Sequence, residues 1–126
     1  MSIVFDGSVL VDHLRASPQA TEAFYGAVES GRRVAASVLT RIELRRACKP
    51  EHLLALDDLD AIVDWVPVDH EIAAIAAKHA AEFGNGMRGI DATACVVAAT
   101  AERLGAELWT TDLRHYPMFD GLQRPY

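Results

Sequence analysis

Ile3-Val4-Phe5-Asp6-Gly7-Ser8-Val9-Leu10 holds the key to the fold. Three consecutive apolar residues read as a short buried strand. An acid ends it, and Val9, Leu10 and Leu14 then recur at helical spacing over residues 8–14. The same alternation continues along the chain. Ser17-Pro18 is a helix start, Ser as cap and Pro in the first turn, for a helix running to about Ser30 and stopping at Gly31. Val34-Ala35-Ala36 is a second strand. Ser37 can cap the helix after it, which carries Leu39, Ile42 and Ala47 and ends before Pro50. Glu51 to about Ala61 reads as a helix with an acidic outer face (Asp57, Asp58, Asp60), and Ile62–Val68 as a third strand. Asp69 caps a helix bearing Ile72, Ala73, Ile75, Ala76 and Ala80, which Gly84-Asn85-Gly86 ends. Ile90–Leu104 is a helix of small residues that can lie close against a sheet, with Gly105 as its stop. Glu107-Leu108-Trp109-Thr110 is a fourth strand, and the turn-rich tail carries a last short strand near Leu122. Strands alternating with helices predict an α/β domain with a mainly parallel sheet.

Composition agrees. The 126 residues, 51% hydrophobic, suit a single domain over 1–126 that buries its core without disulfides. A charged fraction of 24% argues against disorder. No apolar run is long enough to span a bilayer, and Met1–Asp6 lacks the features of a secretory signal, so the expected compartment is the cytoplasm, with no membrane partner. Cys48 and Cys95 have no second Cys or His at ligand spacing, and the five His residues form no HxxxH pair. Free thiols are expected, and zinc is not. A net charge of −6 argues against a broad nucleic-acid-binding surface. Yet Arg32, Arg33, Arg41, Arg45, Arg46 and Lys49 crowd a short stretch that only Glu43 interrupts. Such a stripe is either a solvated helix face or a local grip on phosphates.

Four acids fall at positions that chemistry favours. Asp6 follows the first strand and Asp112 the fourth, on the edge where open α/β sheets bind ligands. Asp91 opens the small-residue helix, and Glu43 lies one turn into the helix after the second strand. Each also has a structural role open to it: Asp6 and Asp91 as helix caps, Asp112 as a turn residue, Glu43 as a surface acid beside Arg46. Four converging carboxylates, however, raise one another's pKa and call for a cation. Oxygen-only donors favour a hard ion, Mg²⁺ or Mn²⁺, and hard ions on carboxylates serve phosphodiester chemistry. Ser8 and Thr110 or Thr111 are hydroxyls placed to support such a site or to cap and turn the chain.

The ordered set Asp6-Gly7-Ser8-Val9-Leu10, Leu39-Thr40-Arg41-Ile42-Glu43-Leu44, Ile90-Asp91-Ala92-Thr93-Ala94 and Leu108-Trp109-Thr110-Thr111-Asp112 resembles the PIN-domain ribonucleases of the VapC toxin type, from Ile3 to about Leu122. The resemblance implies a PIN-like three-layer sandwich, a mainly parallel central sheet flanked by helices. It implies a Mg²⁺- or Mn²⁺-dependent endoribonuclease, the toxin of a type II toxin–antitoxin pair, cutting structured RNA such as tRNA or rRNA by attack of an activated water. Asp6, Glu43, Asp91 and Asp112 match the family's acidic metal site, with Ser8 and Thr110 beside it. Arg41, Arg45 and Arg46 would hold RNA phosphates or a small VapB-like antitoxin, and toxin homodimers are usual. Gly7 departs from the Thr or Ser common at its position. Asp112 supplies the full acid set where some members carry Asn.

Rival α/β readings fit less well. A phospho-receiver needs paired acids after its first strand and a late lysine, but only Asp6 stands there and the lysines are Lys49 and Lys78. A phosphatase with an Asp nucleophile would want a second Asp where Ser8 stands. The remaining alternative is a non-catalytic PIN-like module that binds RNA or a partner.

Overall fold

The computed structural model describes residues 1–84 and 90–126. Strands β1 (Ser2–Phe5), β2 (Arg33–Ser37), β3 (Asp64–Val66) and β4 (Glu107–Trp109) form one sheet in the order β3-β2-β1-β4. Every pairing in it is parallel. Among the described residues six helices connect and cover the strands: α1 (Gly7–Leu14), α2 (Pro18–Glu29), α3 (Thr40–Ala47), α4 (Leu53–Ile62), α5 (His70–Phe83) and α6 (Ala92–Leu104). Single turns of 3-10 helix lie at Pro50–His52 and Leu113–His115. Among the described residues no helix is long and apolar enough to cross a membrane.

Alternation along the strands sorts the side chains into two cores, one on each face of the sheet. Ile3 and Phe5 of β1 and Val34 and Ala36 of β2 pack with Val9, Leu10 and Leu14 of α1, Phe24 of α2, Leu44 of α3 and Leu59 of α4. Val4, Ala35, Val66 and Leu108 face the other way, onto α5 and α6. Helix α6 is buried along most of its length: eight consecutive residues, Ala94–Ala101, are shielded from solvent. Its alanines let its axis approach the sheet and α5 closely. The result is the expected three-layer sandwich, with α6 central on its side.

Helix ends follow the sequence signals. Ser17, Asp69 and Asp91 each accept a hydrogen bond from a backbone N–H of the first helical turn, and Pro18 opens α2. Gly105 closes α6 with φ +60°, a left-handed conformation that a Cβ disfavours. Four expectations are corrected. Ser37 is the last residue of β2, and its hydroxyl accepts from Leu39 N, whereas α3 starts without a side-chain cap. Helix α4 keeps Ile62, so β3 spans three residues rather than seven. Helix α6 starts at Ala92, after its cap. Residues near Leu122 form turns, not a strand. The turn expected at Asn85-Gly86 lies outside the described residues.

Candidate active site

The chain leaves β1 for β2 on one side and returns at its end to β4 on the other. The sheet order therefore reverses beside β1, and the carboxyl ends of β1 and β4 flank the crevice where α/β sheets hold ligands. Phe5 pairs with Trp109, and the next residue, Asp6, donates its N–H to the Trp109 carbonyl at 2.9 Å. That extra bond fixes Asp6 alongside Thr110.

Asp6 is held from both sides. Its Oδ2 accepts from Ser8 Oγ (2.7 Å), Thr110 Oγ1 (2.9 Å) and, more loosely, Ser8 N (3.3 Å). Its Oδ1 accepts from the Tyr116 hydroxyl at 2.7 Å. The two small hydroxyls are fully used: Ser8 Oγ accepts from Thr111 N, and Thr110 Oγ1 accepts from Asp112 N, both at 3.0 Å. Each gives its only proton to Asp6, so Ser8 and Thr110 orient Asp6 and position the turn that carries Asp112. Asp6 also caps α1, so its structural role and its place in the pocket coexist.

A pocket of about 200 Å³ is lined by Asp6, Ser8, Glu43, Asp91, Ala94, Asp112, His115 and Tyr116. All four sequence-selected acids thus meet in one cavity. Asp91 arrives as the cap of α6, with Oδ1 bound to Ala94 N. Asp112 pairs with His115 Nδ1 at 3.0 Å. Glu43 comes from α3 and accepts no hydrogen bond among the described residues. Burial raises its carboxyl pKa, and the charges of Asp6 and Asp91 raise it further; Arg46 and His115 oppose this. Tyr116 is held in its neutral, donating form. Burial pushes its pKa well up, and the Asp6, Glu43 and Asp91 charges add to this. Among the described residues no three acids, histidines or cysteines already form a ligand cluster.

The arginines stand apart from this pocket. Arg41, Arg45 and Arg46 line a groove of about 430 Å³ with Ile42 and Leu56. Arg41 is bound to Asp60 at 2.9 Å and lies 5.6 Å over the Trp65 ring, so part of its charge is already answered. Sequence reasoning did not select Tyr116 and gave His115 no chemical role. The available signal was their position just past Asp112, on the turn that returns the chain to the sheet edge.

Two solved structures share this architecture. A toxin–antitoxin complex from Klebsiella pneumoniae superposes with a TM-score of 0.78 at 20% identity, over 99% of this chain and 98% of that one. VapBC2 from Rickettsia felis, bound to a DNA fragment from its promoter, gives 0.76 at 13% identity, over 97% and 96%. At such identities the likeness is one of fold. Ribonuclease VapC19 from two strains of Mycobacterium tuberculosis is 38% identical over 123 residues, 98% of each chain. Residues 3–118 match the PIN domain family. With its four-strand parallel sheet and near-full-length identity to a curated VapC, this chain belongs to the PIN-domain family, among the VapC ribonuclease toxins of toxin–antitoxin systems.

Proposed function

We propose that this chain is a Mg²⁺- or Mn²⁺-dependent endoribonuclease whose active site is the pocket of Asp6, Glu43, Asp91 and Asp112, and whose substrate is a structured RNA, tRNA or rRNA. The observation that carries the reading is the convergence of four carboxylates on one small cavity, where burial, and then the charges of Asp6 and Asp91, raise the pKa of Glu43. The donors fit a hard cation: all are oxygens, and Asp6 is oriented by neutral hydroxyls rather than by a neutralising base. Asp6, Asp91 and Asp112 would hold the ion, with Glu43 completing the set. A divalent ion held there supplies a water of lowered pKa and neutralises charge gathering on the phosphodiester.

The chain's own residues do the positioning. Ser8, Thr110 and Tyr116 fix Asp6. Glu43, which accepts no hydrogen bond among the described residues, is free to orient the attacking water. Arg45 and Arg46 line a separate groove on α3, the helix that also carries Glu43, and can take flanking phosphates. That groove also mixes cations with the exposed apolar side chain of Ile42, a chemistry suited to a small VapB-like antitoxin segment carrying apolar and acidic residues. We read residues 1–126 as one domain, a homodimer in the cytoplasm.

The test is cleavage of a pool of total tRNA and rRNA by antitoxin-free protein, with Mg²⁺ or Mn²⁺ and with EDTA. A discrete, metal-dependent cut that disappears in Asp6→Asn is expected. Equal cleavage by Asp6→Asn would overturn the assignment.

A further inference from the structure

The three acids on the outer side of α4 do not behave alike. Asp57 and Asp58 are exposed, whereas Asp60 is partly buried and engages α3. Arg41 Nη2 donates to Asp60 Oδ2 at 2.9 Å, and the same guanidinium lies 5.6 Å over the Trp65 ring. Arg41 also lines the groove that holds Arg45 and Arg46. Of these three cations it is the one paired with an acid among the described residues.

The pairing is incomplete. Asp60 offers Arg41 a single oxygen. Its other oxygen, Oδ1, is buried with no hydrogen-bond partner among the described residues, and so is Trp65 Nε1. Strong arginine–carboxylate pairs make two contacts, and a one-point pair at the surface contributes little. The Arg41 side chain is 51% exposed, so its guanidinium is open to exchange with a better anion. Asp60 thus acts as a stand-in for an incoming anion rather than as a lock between the helices.

We propose that Asp60 is a built-in counterion that masks Arg41 and is displaced when an RNA phosphate enters the groove. The inference rests on the reading of the chain as a ribonuclease. It makes Arg41 a third phosphate ligand beside Arg45 and Arg46, one that binds only by exchange. RNA must then compete with the protein's own carboxylate, and affinity at this groove is held below what three free arginines would give.

The experiment measures binding of total tRNA in EDTA, at one fixed salt concentration, by wild type, Arg41→Ala, Asp60→Asn and the double variant. Asp57→Asn reports the general effect of removing a charge from α4, and melting curves report the fold. Asp60→Asn is expected to tighten binding about threefold to fivefold, the scale of a surface ion pair, and by more than Asp57→Asn does. In the Arg41→Ala background that gain should shrink to the gain given by Asp57→Asn. An equal gain in both backgrounds would overturn the proposal, since Asp60 would then act only through its long-range charge. A lower Tm with no gain in binding would also overturn it, because the pair would serve only to join α3 and α4. Either result beside metal-dependent cleavage by wild type overturns this proposal alone. Failure of wild type both to bind and to cut RNA would overturn the ribonuclease reading and this inference with it.

Discussion

Asp6 shows how one side chain is prepared by residues far along the chain. Two of its anchors, Thr110 and Tyr116, lie 104 and 110 residues away, and the third, Ser8, is a neighbour. The Tyr116 ring is 2% exposed and packs in the core under α6, so its hydroxyl is delivered by an apolar body that phenylalanine can replace. Tyr116→Phe should therefore fold, lose about 1.5–3 kcal/mol of stability for a hydrogen bond to a charged group, and cleave roughly tenfold more slowly. Chemical denaturation and single-turnover cleavage check the two halves of that statement. The acids were legible in the sequence because each stands at a strand or helix end, where position implies direction. Tyr116 was not, because a tyrosine in a turn-rich tail reads as core until the fold brings its hydroxyl against Asp6.

At the scale of elements, α6 combines two demands at its N-cap. Asp91 caps the helix through Ala94 N and presents its charge to the pocket. Asparagine keeps the cap and removes the charge; alanine removes both. Asp91→Asn is expected to match or exceed wild-type stability while losing cleavage, and Asp91→Ala to lose about 1 kcal/mol in addition. Urea titrations of the two variants, set against their cleavage rates, separate structure from chemistry. Caps and stops were the most readable elements: Ser17, Asp69, Asp91 and Gly105 act as their types suggest. The third strand was overestimated because Ile62 and Val63 favour strands locally. The Val63 N–H nevertheless bonds to Leu59 O, and the last turn of α4 wins over strand propensity. Ser37 misled for a similar reason. A serine before a helix looks like a cap, but here the helix begins three residues later and the hydroxyl ties the intervening turn.

For the whole molecule, the layers could be read from alternating patterns, but the order β3-β2-β1-β4 could not. Local periodicity states that a strand exists and leaves its neighbours open. That order gathers four acids on one sheet edge, and stability should register the cost. The folded-state pKa of Glu43 is raised above its unfolded value. Its contribution to stability is therefore fully present below the ordinary carboxyl pKa and is lost as pH rises through the folded one. In EDTA, Glu43→Gln should melt above wild type near neutral pH. The gap should close as pH falls below about 4. Melting curves of both proteins across that range decide it; a gap that widens on acidification would show the acid to be stabilised in its charged form.

The parallel pairing of β1 with β4 also has a consequence in time. The first strand is made about a hundred residues before its partner. A nascent chain that stops short of Thr110 lacks Asp112 and Tyr116 as well, and its Asp6 has neither distant anchor. If the proposed site is the active one, such an unfinished chain does not cut, however much of the sheet has formed. For a ribonuclease born among RNAs, this is latency written into strand order: the capacity to cut waits until β4 and the residues that follow it have been made.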